Sequence, residues 1–305
     1  MGLDGGVTGR YSNLERPPLS ERGLERALVR DGGFWRRVSV VAETGSTNAD
    51  LAELAKAGAP EGTVLVAEAQ TAGRGRLGRQ WSAPARSGLM FSVLLRPGPA
   101  VPPGRLGWIP LLTGVAVATA VRSVTSRAGA GEFGEATGKA IVSAGLKWPN
   151  DLLAGERKLA GILAERAGEA VVVGVGLNVS LREDELPVPA ATSLVLEDAA
   201  VSDRETVLKA ILRETALRYG EWRAADGDPD GSGLRAAYRD LCVTLGQEIR
   251  IELPGGESVP GTAVDVDLDG RLVVSTDGGR RAFSAGDVIH VGKPGPNGTA
   301  VTTVT

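Results

Sequence analysis

The chain is predicted to be α+β, with a mixed β-sheet covered by helices and a small antiparallel barrel after it. Strand-like apolar runs recur between residues 38 and 180 with few helices between them, which argues against a uniformly parallel sheet. Two long segments, 105–127 and 204–223, have helical patterning and supply the cover. From Thr244 the texture changes to short alternating strands, EIRIELPGG, SVPGTAVDVDLDG, RLVVSTDGG and RAFSAGDVIHVG, punctuated by Asp-Gly and Gly-Gly turns.

In chain order, residues 1–16 lack periodicity and read as a tail, and LSERGLERALV (19–29) as a short amphipathic helix. Together, residues 1–34 form an N-terminal tail and helix ahead of a main domain over 35–242. Val38–Val41 is a strand, followed by ETGSTN and the helix NADLAELAKAG. That helix places Leu51, Leu54 and Ala55 on one face and stops at Gly58. Thr47 with Asp50 fits a capping box. Val64–Ala67 and Leu89–Leu95 are strands around a glycine-rich loop. Residues 105–127 are apolar on nearly all sides and so belong in the core. Arg127–Gly138 reads as a loop-like insertion without an obvious role. Further strands are expected at Ile141-Val142, from Leu146 through KWPNDLL, at Lys158–Glu165 and at Ala170–Ser180, with a turn at Ala154–Arg157. The helix over 204–223 turns Leu208, Ile211, Leu212, Tyr219 and Trp222 inward, and a second helix covers about 233–242. Residues 243–293 make the small domain, expected to pack on the main domain on its nucleotide or partner side because some fifty residues are marginal alone. Residues 294–305 read as a second tail.

Length 305 suits two domains, and a net charge of −3 argues against general nucleic-acid binding. The N-terminus MGLDGGVTGR has no apolar leader, and Leu106–Val121 is interrupted by Pro110 and short for a bilayer span. A cytoplasmic protein without membrane or DNA partners is expected. One cysteine, Cys242, excludes an internal disulfide, and one histidine, His290, sits in a strand-like segment with a structural reading. Ser-His-Asp, Cys-His and His-zinc chemistry are thereby disfavoured. Lys, Arg, carboxylates and backbone dipoles remain, a set suited to reactions governed by charge and positioning, such as nucleotidyl transfer.

The loop in VLVAEAQTAGRGRLGRQW interleaves Gly73, Gly75 and Gly78 with Arg74, Arg76 and Arg79. Glycines let backbone approach a ligand, and guanidinium groups match phosphate or carboxylate. No Asp or Glu occurs from Ala69 to Gly131, and three like charges with three glycines are expected to keep the empty loop, Thr71–Gln80, mobile. G-x-G-x-x-G is satisfied, yet no helix and no ribose-binding acid follow, which removes a dinucleotide fold. P-loop spacing fails as well, because Arg79-Gln80 stands where Lys-Ser/Thr is needed.

A second cluster is Lys147-Trp148-Pro149-Asn150-Asp151, with Lys158 following in KLAG. Pro149 imposes an extended turn, an acid beside phosphates can hold Mg²⁺, and a lysine on a strand at the pocket floor can neutralise two oxyanions. Judged locally, Ser46 and Thr47 read as helix caps, and Lys147 and Lys158 as solvated lysines. The combination with the loop and with GVGLN ending in Asn178 outweighs those readings.

ETGSTN, AEAQTAGRGRLGRQW, KWPNDLL, RKLAGILAE and VGVGLNVS, in that order, resemble biotin–protein ligases (holocarboxylase synthetases) over roughly Trp35–Val291. The resemblance implies a class II synthetase-like catalytic domain and an SH3-like C-terminal domain. It also implies two steps: biotin attacks the ATP α-phosphate to give biotinyl-5′-AMP and pyrophosphate, and a lysine of a biotin carboxyl carrier domain of an acyl-CoA carboxylase then takes the biotin. Carried over by motif, Ser46, Thr47, Gln70, Gly73, Arg74, Gly161 and Lys158 bind biotin. Arg76, Gly78, Trp81, Lys147, Asn150 and Asn178 face the nucleotide, and Asp151 is a candidate Mg²⁺ ligand. Lys158, Arg74 and Arg76 are the catalytic candidates. A monomer or weak homodimer is implied, without the N-terminal DNA-binding domain of bifunctional members. A lipoate ligase-like enzyme and a non-catalytic biotin-sensing regulator are the alternatives. An octanoyl transferase would need a catalytic cysteine in the core, and Cys242 is expected to lie outside it.

Overall fold

The computed structural model describes residues 16–129 and 141–291. Residues 1–15 of the expected first tail, the whole expected tail over 294–305 and most of the expected insertion lie outside these residues. The central sheet comprises β1 (Arg37–Val41), β2 (Thr63–Ala67), β3 (Gly88–Leu95), β4 (Ala144–Lys147), β5 (Asp151–Ala154), β6 (Arg157–Ala167) and β7 (Ala170–Asn178). Its order is β1-β2-β3-β7-β6-β5-β4, with β1 and β2 parallel and every other pair antiparallel. The mixed sheet is therefore present. Ile141-Val142 precedes β4 rather than forming a strand of its own.

Among the described residues five α-helices flank it: α1 (Glu21–Leu28), α2 (Thr47–Lys56), α3 (Trp108–Gly129), α4 (Arg204–Ala224) and α5 (Leu234–Leu241). α3 and α4 pack together on one face, over Val64, Phe91, Val93, Val173 and Val175. α2 covers part of the other face, where Leu51 and Ala55 meet Leu65, Leu94, Ala170 and Val172. This alternation follows from the two-residue repeat of a strand. The same β7 face that packs under α2 at Ala170 and Val172 continues as Gly174, Gly176 and Asn178. There α2 has ended and two side chains are missing, so the sheet is left open. The site sits in that opening.

Several expectations are corrected. Arg16, placed in a tail, is 8% exposed and paired with Glu185. Leu54 is exposed, since it lies at the border of the stripe defined by Leu51 and Ala55. Pro110 does not interrupt α3. It occupies the first turn, where its missing N–H would have no helical partner. The continuous stretch Pro103–Ser126 is long and apolar enough to cross a membrane, but Ile109, Leu112, Val115 and Val121 are fully buried, as in a core helix. Arg127–Gly129, assigned to the insertion, continue α3. Cys242 is buried in the main core rather than outside it, with Tyr238 beside its thiol, and burial raises its pKa.

The C-terminal sheet contains β8 (Glu248–Glu252), β9 (Ser258–Val266), β10 (Leu272–Thr276), β11 (Gly279–Phe283) and β12 (Asp287–His290), in the order β11-β10-β9-β8-β12, all antiparallel. Its β9–β10 turn is pinned to the main body. Trp108 Nε1 donates to Leu268 O at 2.8 Å, Trp148 Nε1 to Gly270 O at 3.1 Å, and Arg105 pairs with Asp269 at 3.1 Å. Ile249, Ile251 and Val274 belong to the same apolar core as α3.

Candidate active site

A cavity of about 410 Å³ lies over the open part of β6 and β7. Ser46, Thr47, Gln70, Arg74, Arg76, Trp81, Lys147, Asn150, Asp151, Lys158, Gly161 and Asn178 all line it, so most of the expected residues converge. Gly73 and Gly78 do not. They face an adjoining cleft of about 1020 Å³ outside the loop, and both shape the loop itself. A Cβ on Gly73 would stand 2.4 Å from Trp81 O, and Gly78 has φ 75°. The loop folds as a narrow hairpin: Trp81 N donates to Gly73 O at 2.9 Å and Gly75 N to Arg79 O at 2.7 Å.

One end of the cavity is neutral and buried. Gln70 Oε1 accepts from Thr47 N at 2.8 Å and Thr47 Oγ1 at 3.1 Å. The Ser92 hydroxyl lies 2.7 Å from Thr47 Oγ1 and 2.6 Å from Asn48 Oδ1. Asn48 Nδ2 donates to Leu163 O at 3.1 Å and Glu165 Oε2 at 2.8 Å. The capping box is thus corrected: Ser46 is the N-cap, Thr47 has turned to Gln70, and Asp50 accepts from Thr44 Oγ1 instead. Gly174 makes room for Asn48, because a Cβ there would lie 2.2 Å from Asn48 Oδ1.

The other end is charged. Lys158 Nζ pairs with Asp151 Oδ1 at 2.7 Å. The hairpin that pairs Lys147 with Asp151 turns through a cis Trp148–Pro149 bond. Burial holds the Lys147 ammonium below its ordinary pKa, with Asp151 opposing and Lys158 reinforcing that shift. Burial also lowers the pKa of Arg76, offset by Asp287 and Asp151. Each loop arginine has a partner. Arg74 meets Glu165 at 3.5 Å, Arg76 Nη1 donates to Asn150 Oδ1 at 3.0 Å, and Arg79 pairs with Asp287. Asp287 and Val288 bring the C-terminal sheet into the cavity wall.

Between the two ends, the Trp81 indole lies on β6 and β7. Cβ atoms on Gly161 and Gly176 would approach it at 3.2 Å and 2.3 Å, so these glycines seat the ring. Asn178 donates to Thr192 O at 2.9 Å, while its buried Oδ1 has no protein partner and awaits a donor. Pro187, Val188 and Ala191 complete this wall; no periodic pattern in the sequence marks them.

Among the described residues no three His, Cys, Asp or Glu side chains converge, and Asp151 Oδ1 lies 2.7 Å from Lys158 Nζ. Asp151, the Mg²⁺ candidate, faces the cavity beside Lys158.

Residues 40–180 match the model of the biotin/lipoate A/B protein ligase family, and residues 244–291 that of the biotin protein ligase C-terminal domain. A biotin–[acetyl-CoA-carboxylase] ligase of Mycobacterium tuberculosis is 45% identical over 277 residues, covering 90% of this chain and 97% of the relative. The chain belongs to the biotin/lipoate A/B protein ligase family. Solved members share the fold. The Aquifex aeolicus biotin protein ligase, in complex with biotin and ATP, superposes with TM-score 0.65 at 28% identity, covering 83% of this chain and 98% of that one. The Leishmania major enzyme with biotinyl-5-AMP gives 0.54 at 26% identity, covering 82% and 99%. The C-terminal sheet is accordingly the family's SH3-like unit. Asn48, Arg79, Gly174, Gly176, the 187–191 wall and Asp287 were absent from the sequence-based set. Asn48, Gly174 and Gly176 lay inside motifs already noted, ETGSTN and GVGLN.

Proposed function

We propose that the protein is an ATP-dependent biotin–protein ligase, forming biotinyl-5′-AMP and then biotinylating a lysine of a carboxyl carrier domain. The observation that carries this is one cavity with a buried, neutral, hydrogen-bonded end facing a cationic end, separated by an aromatic ring on glycine floors. Biotin has a ureido ring at one end and a carboxylate at the other, and ATP adds phosphates and a base. The relatives named above carry biotin, ATP and acetyl-CoA-carboxylase in their descriptions.

In this reading Ser46, Thr47 and Gln70 hold the ureido ring, with Asn48 and Ser92 fixing their orientation. The carboxylate reaches Lys158. One carboxylate oxygen attacks the α-phosphorus, the bond to the bridging oxygen breaks, and pyrophosphate leaves. Lysine has three N–H donors, so Lys158 can keep Asp151 and still contact oxygens of both reactants as charge shifts between them. Arg74, Arg76 and Lys147 neutralise phosphate charge, with Asn150 holding Arg76. The base lies against Trp81 and Val188, where its exocyclic amino group donates to Asn178 Oδ1. The carrier amine then attacks the acyl carbonyl and AMP departs. Mg²⁺ would arrive with ATP, with Asp151 the residue placed to hold it, and cytoplasm is the proposed compartment.

Biotin-dependent exchange of labelled pyrophosphate into ATP tests this. Exchange with biotin, and none with lipoate, is expected. Exchange with lipoate alone would overturn the biotin assignment, and no exchange with either would overturn adenylation.

A further inference from the structure

The wall carrying Pro187 and Val188 is an irregular segment between β7 and α4, and its rigidity has to come from tethers. Its far end is tied to the floor: Lys158 N donates to Ala190 O at 2.7 Å and Thr192 N to Lys158 O at 2.9 Å. Its near end is held by Arg16, a residue more than 160 positions away in sequence. Arg16 Nη2 donates to Ser180 O at 2.6 Å, and its two terminal nitrogens engage both oxygens of Glu185, Nη1 to Oε1 at 3.0 Å. Glu185 Oε2 also accepts from Arg182 N at 2.9 Å, which closes the turn Glu183–Glu185. The Arg16 hydrogen bond is the leading cause that lowers the Glu185 pKa.

Arg16 is itself preorganised. The buried pair Arg204–Glu68, at 2.6 Å, grips the chain just beyond it: Arg204 Nη2 donates to Pro17 O at 2.6 Å and Leu19 N to Glu68 Oε1 at 2.6 Å. A guanidinium on a fixed backbone, 8% exposed and forked onto one carboxylate, transmits position rather than merely charge. What it positions is an exposed apolar surface: Val188 is 45% exposed and borders the cavity beside Asn178.

We infer that Arg16 is a positioning residue for the nucleotide half of the pocket, fixing through Glu185 and Ser180 the wall that Val188 and Pro187 present to the base. This rests on the adenylation reading for the identity of the ligand. The N-terminal segment is thus part of the site although it touches no substrate.

The test uses the full chain with Arg16→Ala, Arg16→Lys, Glu185→Gln and the Arg16→Ala/Glu185→Gln pair. KM for ATP in pyrophosphate exchange should rise about 10-fold in Arg16→Ala and Glu185→Gln, the scale of one charge-assisted hydrogen bond. Arg16→Lys should fall between, and the pair should add little to either single change, because one contact is removed twice. Biotin affinity should stay within about twofold, a change too small to signal a lost contact. Hydrogen exchange without nucleotide should quicken in 181–191 and not in 44–56. An unchanged KM for ATP in both single variants, or a parallel rise of ATP and biotin constants, overturns the inference. If the unmodified protein exchanges no pyrophosphate, the adenylation reading fails. Hydrogen exchange then still decides whether Arg16 pins the wall.

Discussion

The two ends of the cavity are built on opposite principles. At the neutral end Ser46, Thr47 and Asn48 are 4–5% exposed; Thr47 is tied to Gln70 and Ser92, and Asn48 to Ser92, Leu163 O and the Glu165 carboxylate at the rim. At the charged end Lys158 and Asp151 are 34% and 23% exposed, and Arg74, Arg76 and Arg79 lean on partners drawn from β6, the β4–β5 turn and β12. A buried neutral network is worth keeping only if fully satisfied, so it is rigid and sets identity. A half-exposed cluster of ion pairs is individually weak, and ligand anions can replace its carboxylates at little cost. On the proposed function, the neutral end is preformed for selection, and the charged end is poised for exchange and carries the reaction.

The largest effect should come from Lys158→Ala. Loss of one preorganised electrostatic contact costs about 10²–10³ in rate, so exchange should fall by that much. Rapid-quench measurement of adenylate formation checks the value, and a wild-type rate would remove Lys158 from the reaction. Next is Gly174→Ala at the opposite end. Its Cβ must displace Asn48, whose Oδ1 would lie 2.2 Å away, and this leaves buried polar groups unmatched. Biotin binding should weaken roughly 10- to 100-fold, with KM for ATP little changed. Substrate titrations of the exchange rate separate the two constants.

Arg79→Ala and Asp287→Asn should act more mildly. Arg79 is 57% exposed, so the pair contributes about 1 kcal/mol or less, screened by salt. Faster release of the adenylate, by less than about 10-fold and narrowing as salt is raised, is expected from a chase experiment. The smallest effect is on stability. His290 is neutral in the fold, its pKa lowered from 6.5 to about 4 by burial first and by Lys147 second. Between those values only the unfolded chain takes up the proton, so stability falls as pH drops from about 6.5 towards 4. His290→Asn should flatten that decline, which melting curves at pH 5 and pH 7 will show.

Much of this was legible in the sequence because motif residues announce themselves locally. The glycine–arginine loop, KWPND, Lys158 and Asn178 each carry an unusual composition, and the β-turn punctuation after Thr244 marks the second sheet. Pairing across long separations was not legible. The acid-free run from Ala69 to Gly131 looked self-repelling, yet Glu165 and Asp287 supply its counter-charges from 91 and 208 residues away. Thr47 looked like a cap because Gln70, the stronger partner, lies 23 residues on. The 187–191 wall has no periodicity to detect, since its shape is imposed by Lys158 and Arg16. Gly161 and Gly176 were visible as spacing, but only the fold shows that they seat Trp81.

The most direct test of the division between the two ends is biotin binding without ATP, measured by calorimetry on the unmodified protein, Lys158→Ala and Gly174→Ala side by side. Lys158→Ala should bind biotin within about threefold of the unmodified protein, the reach of one screened charge contact, while Gly174→Ala loses most of its affinity. The reverse pattern, with Lys158→Ala unable to bind and Gly174→Ala intact, would contradict the account.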